Sequence, residues 1–161
     1  MAYALSLCID QELLSLNRAV GELRRRNLAI ESLAVGPGDG PGETRLTVIV
    51  NTDDATAEMA MRKLDKLSGV RGATRFRVED AITHELALVK VHVPSERLAE
   101  LRDVCARYKA TVVAELPDEA IVELAGSGSS VLAFVRALEI TFGIRELVRS
   151  GPVALARVSA S

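Results

Sequence analysis

What most constrains this chain is an order of apolar patterns that occurs twice: strand, helix, strand, strand, helix, strand. In the first half, Tyr3–Ile9 is a short β-prone run ended by Asp10. Leu13, Leu16, Val20 and Leu23 then recur at steps of three and four, the spacing of one helix face. Asp10 is the expected N-cap and Asn27 the expected stop. A strand over 30–35 runs into Gly36-Pro37-Gly38-Asp39-Gly40-Pro41-Gly42, where Gly and Pro occupy every position but one and enforce a loop. The strand 45–50 follows. Thr52-Asp53-Asp54 opens a second helix with the stripe Ala57, Ala60, Met61, Leu64 and Leu67, ended by Gly69. Val70–Val78 is the fourth strand, and its Arg71, Arg75 and Arg77 predict an edge position.

The same order then returns. A strand over 86–93 ends at Pro94, and Ser95 is placed to cap a helix carrying Leu98, Leu101, Cys105 and Tyr108. Runs at 110–115 and 120–124 flank Leu116-Pro117-Asp118-Glu119 as a hairpin. A helix with Val131, Phe134, Val135, Leu138 and Phe142 is closed by Gly143, and apolar runs at 144–148 and 153–158 finish the chain. The expected organisation is a first domain over 1–78, a junction at 79–85 and a second domain over 86–161. Two tandem βαββαβ modules define an α+β class, with antiparallel sheets and both helices on one face of each. Such cores are thin, with exposed sheet edges, and they predict oligomerisation.

Composition bears on what these modules can do. The chain of 161 residues is 48% hydrophobic and 26% charged, which is globular, and its 3% aromatic content with no Trp makes Ala, Val, Leu and Ile the core builders. A formal net charge of −2 with interspersed signs argues against a nucleic-acid partner. No apolar run approaches the roughly 20 residues of a membrane span, so no membrane partner is expected. Met1–Leu7 lacks a basic n-region. Cys8 and Cys105 sit within apolar patterns as expected buried free thiols, which suits a cytoplasmic location.

Catalytic and metal motifs do not assemble. The loop at 36–42 leads into Glu43-Thr44-Arg45 and a strand, not into the Gly-Lys-Ser/Thr step that brings a lysine to phosphates. Gly126-Ser127-Gly128-Ser129 has the wrong spacing for a nucleophile elbow, and Ser129 or Ser130 reads as a helix N-cap. His84 and His92 face the same way on one strand, but more than about 25 Å apart at 3.3 Å per residue, too far to share a metal. No carboxylate pair stands out for general acid–base work. No catalytic, cofactor-binding or metal residues are therefore assigned. Arg24-Arg25-Arg26 is the one dense basic cluster. It sits where a helix C-terminus favours cations, and contact with an acidic partner surface is the alternative.

Several stretches, taken in order, resemble the small regulatory subunit of acetohydroxyacid (acetolactate) synthase. They are Arg25-Arg26, then Ile30-Glu31-Ser32-Leu33, then Arg45 through Val50, Lys63 through Leu67, and His84 through Val91. Phe142-Gly143-Ile144, Glu146, Arg149-Ser150-Gly151 and Ala154-Leu155-Ala156-Arg157 resemble the family's closing signature. The resemblance implies an N-terminal ACT domain and a ferredoxin-like, ACT-like C-terminal domain. It further implies a homodimer formed through the ACT sheets, and a large catalytic partner subunit that carries thiamine diphosphate, Mg²⁺ and FAD while this chain carries none. That assembly is a transferase of branched-chain amino-acid biosynthesis, which the small subunit activates and through which valine often inhibits. A stand-alone small-molecule sensor is the alternative reading.

By resemblance, an amino-acid effector would meet Gln11, Leu13, Leu14, Ser15, Ala29 and Ile30. The family commonly has Asn and Gly in the turn before the first helix and Asn before the Ile-Glu-Ser-Leu segment; Gln11, Leu14 and Ala29 stand there instead. Glycine admits backbone amides close to a carboxylate, and Asn offers both donor and acceptor. Leu14 adds bulk and Ala29 removes a polar group, which predicts weakened or lost valine sensing.

Overall fold

The computed structural model describes residues 1–157. The described chain forms two compact units, one made of Met1–Ile82 with residues 153–157, the other of Thr83–Pro152. The first contains β1 (Ala2–Asp10), α1 (Leu13–Arg25), β2 (Ala29–Pro37), β3 (Glu43–Asn51), α2 (Asp54–Leu64) and β4 (Val70–Arg77). The order repeats as β5 (Ala81–His92), α3 (Leu98–Tyr108), β6 (Thr111–Leu116), β7 (Glu119–Gly126), α4 (Gly128–Thr141) and β8 (Ile144–Arg149), followed by β9 (Val153–Ala156). The sheets run β2-β3-β1-β4 and β6-β7-β5-β8, so the two modules share one topology, and β9 pairs with β5 outside that order.

The first core is a single layer between sheet and helices. Tyr3, Leu5, Leu7 and Ile9 of β1 and Leu46, Val48 and Val50 of β3 meet Ala19 and Leu23 of α1 and Ala57, Ala60 and Leu64 of α2. Alanines at the helix contacts let the helices approach closely, which suits a chain poor in aromatics. Each fully buried Leu or Val contributes about 1.5–3 kcal/mol. The second core repeats the scheme with Ala87, Val89 and Val91 against Leu101, Cys105, Phe134 and Leu138. Burial pushes the Cys105 thiol up, whereas Cys8, expected to be buried, is only partly covered.

Helix starts follow local hydrogen bonding. Asp53 caps α2 by accepting from the Thr56 amide at 2.8 Å, as Thr52-Asp53-Asp54 predicts. Three expected caps differ. Asp10 does not cap α1; its Oδ1 accepts from the Glu12 amide at 3.2 Å, which leaves Glu12 at the cap position. Ser95 opens a 3-10 turn, and α3 begins only at Leu98. Ser127, not Ser129 or Ser130, caps α4 and accepts from the Ser130 amide at 3.3 Å. Asn27 and Gly69 have the positive φ values, 49° and 89°, that turn the chain after each helix.

Two boundaries differ from the sequence reading. The division between the units falls between Ile82 and Thr83, inside the expected junction 79–85, but most of that segment is strand. Val78–Asp80 forms a 3-10 turn, and β5 is already running at Ala81, with Ala81, Glu85, Ala87 and Val89 alternating on its buried side. The chain from Val153 groups with the first unit, where the Arg157 amide donates to the Asp80 carbonyl at 3.1 Å. Val158, the end of the expected last strand, lies outside the described residues.

Arg75 lies on β4, the predicted edge strand, yet it is tied inward. Its Nε donates to Glu58 Oε2 at 2.6 Å and its Nη1 to Asp54 Oδ1 at 2.8 Å, and its guanidinium lies 5.6 Å from the Tyr3 ring centroid. Tyr3 also donates to Asp54 at 2.9 Å. This network clamps the start of α2 to the sheet. Arg75 holds both carboxyls below the ordinary carboxylate range, with Tyr3 assisting at Asp54 and Arg62 at Glu58.

Candidate effector site and partner surface

The residues expected to meet an effector fall into two groups, which one chain keeps apart. Gln11 is exposed in the turn after β1, and Leu13 and Leu14 open α1 with 71% and 52% of their surface exposed. Ser15 is 1% exposed, and its Oγ has no hydrogen-bond partner. Ala29 and Ile30 start β2. Ala29 is in register with Asn51, and Asn51 with Ala2, at the far end of β1 from Asp10. Eight residues at 3.3 Å each put about 26 Å between that end and the turn. A ligand touching both groups must therefore bridge two copies of the chain.

An apolar strip lies beside them that one chain leaves uncovered. The sequence predicts Leu13, Leu16, Val20 and Leu23 as the buried face of α1. The structure buries Leu23 and packs Leu16 partly against the core, adds Ser15 and Ala19 to that face, and leaves Leu13 and Val20 71% and 37% exposed. The helix is turned so that its small residues face the sheet. On the edge strand β2, Leu33 and Val35 pair with the buried Val48 and Leu46, yet they remain 38% and 49% exposed because the helix layer does not reach that far.

The basic cluster divides. Arg26 folds back on Glu22, with its Nε donating at 3.1 Å, and Arg25 pairs with the same carboxylate at 2.8 Å while staying 69% exposed. Among the described residues Arg24 makes no ion pair, and with Arg18, Arg25, Asn17 and Gly21 it lines a shallow depression of about 340 Å³. The outward basic surface is therefore Arg18, Arg24 and Arg25, and Arg26 serves its own helix. Arg18 was not singled out in the sequence, although it lies seven positions before Arg25 and so returns to its face.

In the second unit, Glu85 is a buried carboxylate gripped at both oxygens by the Arg149 guanidinium, with Arg149 Nε at 3.1 Å. This pair joins β5 to β8. Among the described residues no group of three or more His, Cys, Asp or Glu is placed to hold a metal ion. Among the described residues no helix is long and apolar enough to cross a membrane.

A β2-β3-β1-β4 sheet with two helices on one face, repeated in tandem, defines the class: a two-module protein whose first module is an ACT domain. Residues 16–72 match the family described as the AHAS small subunit-like ACT domain, and residues 84–158 match the small subunit of acetolactate synthase. The chain is similar to the probable acetolactate synthase small subunit of Archaeoglobus fulgidus, 31% identical with 98% of each chain covered. It is similar to the putative acetolactate synthase small subunit of Mycobacterium tuberculosis, 32% identical over 96% of this chain and 92% of that one. Its fold is that of the acetolactate synthase small subunit from Thermotoga maritima, with a TM-score of 0.90, 26% identity and 99% of both chains covered. The chain belongs to the acetolactate synthase small subunit family.

Proposed function

We propose that this chain is a regulatory subunit without chemistry of its own. It pairs with a second copy along the β2 edges and binds a large acetolactate synthase subunit, which it activates. In that assembly the large subunit carries thiamine diphosphate, Mg²⁺ and FAD, and the whole acts as a transferase in branched-chain amino-acid biosynthesis in the cytoplasm. The observation that carries this reading is the split effector site, with Gln11–Ser15 and Ala29–Ile30 about 26 Å apart in one chain. It is joined by exposed apolar side chains, Leu33 and Val35, on the edge where a second β2 would pair. Exposed edge strands of this kind are covered by association.

Valine sensing at the turn is weak in this reading. Leu14 stands where a ligand carboxylate would approach the α1 amides, and Ala29 offers no side-chain hydrogen bond. The outward arginines Arg18, Arg24 and Arg25 suit an acidic surface on the large subunit.

The test is to add the purified chain to its large subunit and follow acetolactate formation from pyruvate. Turnover should rise several-fold, and Arg24→Ala with Arg25→Ala should weaken the association, most at low salt, where exposed charges act furthest. No binding to the large subunit would leave the chain as a stand-alone sensor and reject the reading.

A further inference from the structure

We infer that the face of the first sheet away from its helices holds a second small-molecule site, for a zwitterionic α-amino acid with an apolar side chain. Ser6 of β1 is in register with Thr74 of β4, and Phe76 stands two residues further along the same face. β9 lies over these positions, and Leu155, between Ala154 and Ala156, helps to line a cavity of about 370 Å³ that also takes in Asp39 and Arg45. All of these residues belong to the first unit.

The polar groups are arranged in opposite signs. Arg45 Nη1 donates to Ser6 Oγ at 3.2 Å, and Ser6 is 6% exposed, so the guanidinium is anchored from within the sheet. Its other nitrogen pairs with Asp39, whose side chain is 83% exposed. Asp39 projects from a loop that Glu43 fixes, because the Gly38 amide donates to the Glu43 carbonyl at 2.9 Å and the Gly40 amide to Glu43 Oε2 at 3.1 Å. A Cβ at Gly38 would come within 2.5 Å of the Glu43 side chain, so glycine is needed for this closure. The glycine-rich hairpin thus holds a carboxylate beside an arginine at the mouth of a partly apolar cavity.

Such a site selects by charge. A simple carboxylate would meet Arg45 but also the like charge of Asp39, and a simple cation would meet the reverse. A zwitterion satisfies both, with its carboxylate on Arg45 and its ammonium on Asp39, while Ser6 and Thr74 can donate or accept. Its side chain would lie against Phe76 and Leu155. An exposed Arg–Asp pair is worth little by itself, so a ligand can part it at small cost and replace one ion pair by two.

The experiment is calorimetric titration of the full chain, without the large subunit, with L-leucine, 4-methyl-2-oxopentanoate and L-leucinamide. The first keeps both charges, and the other two each lose one. Leucine should bind saturably and the other two at least tenfold more weakly. Asp39→Asn and Arg45→Gln should each weaken leucine at least tenfold, and Lys63→Ala, exposed on α2 and away from the cavity, should leave it unchanged. Asp39 is so exposed that its replacement leaves the fold intact, which an unchanged thermal midpoint would verify. Absence of saturable leucine binding overturns the inference, as does binding indifferent to Asp39→Asn or to Arg45→Gln. None of these outcomes touches the assembly reading, which is judged by activation of the large subunit.

Discussion

Ser15 is packed against the Cα of Gly69, so closely that a Cβ at Gly69 would come 2.0 Å from Ser15 Oγ and 2.8 Å from Asp10 Oδ2. This contact locks the turn that starts α1 to the turn that leads into β4, and the Asp10 amide reinforces it by donating to the Gly69 carbonyl at 2.9 Å. Gly69→Ala meets both a positive φ of 89° and a steric overlap. It should cost about 2–4 kcal/mol, read from the denaturant midpoint. Ser15→Ala in the same chain should recover part of that loss, since it removes the nearer atom and an unpartnered hydroxyl.

Valine affinity at the turn should respond to the two positions that one chain holds apart. Leu14→Gly with Ala29→Asn frees the α1 amides and adds a hydrogen bond to a charged group, worth roughly 1.5–3 kcal/mol, or about ten- to a hundredfold in affinity. Titration with valine in an Asp39→Asn background isolates this site. No gain in affinity would mean that Leu14 and Ala29 are not what limits it.

Self-association should depend on the strip at Leu33 and Val35. Leu33→Asp places a charge where a second β2 would bring apolar side chains together, while in the single chain the residue is already 38% exposed. Sedimentation should show a dimer for the unaltered chain and a monomer for the variant, with little change in helix content. An unaltered dimer in the variant would place the contact elsewhere.

Stability should fall in acid through the Arg75 clamp. Asp54 and Glu58 have folded pKa values below their unfolded ones, chiefly through hydrogen bonds from Arg75. Their contribution is complete above the unfolded carboxylate range, about pH 4, and is lost as pH drops through the lower folded values. Thermal midpoints should therefore decline below about pH 4, and Arg75→Gln should flatten that limb while lowering the midpoint at neutral pH.

Much of the fold was legible because its signals are local. The β-prone run of β1, the helix start at Thr52–Asp54 and the turn at Gly69 depend on neighbouring residues only, and each formed where the pattern placed it, whereas the loop expected over 36–42 begins only after Pro37, because Gly36 and Pro37 pair with Arg45 and Thr44 in the sheet. The candidate site was legible only by resemblance, since Leu14 and Ala29 look like ordinary apolar positions in any periodic reading. That 81–85 is already strand was not legible, for the opposite reason. Glu85 looks like a surface residue until Arg149, 64 positions away, neutralises it inside β5.

The sequence by itself determined the order of the elements, their repetition and the residues able to fill two thin cores, because period and turn chemistry are written over a few adjacent positions. Only the tertiary structure decided which side of α1 is core. Of the stripe Leu13, Leu16, Val20 and Leu23, only Leu23 is fully buried and Leu16 partly packed, while Ser15 and Ala19, small enough to seat α1 on the sheet, complete the core face. A stripe meant for a core and one meant for a partner have the same spacing and the same hydrophobicity. They are told apart by what lies opposite them, which is set by contacts between distant parts of the chain.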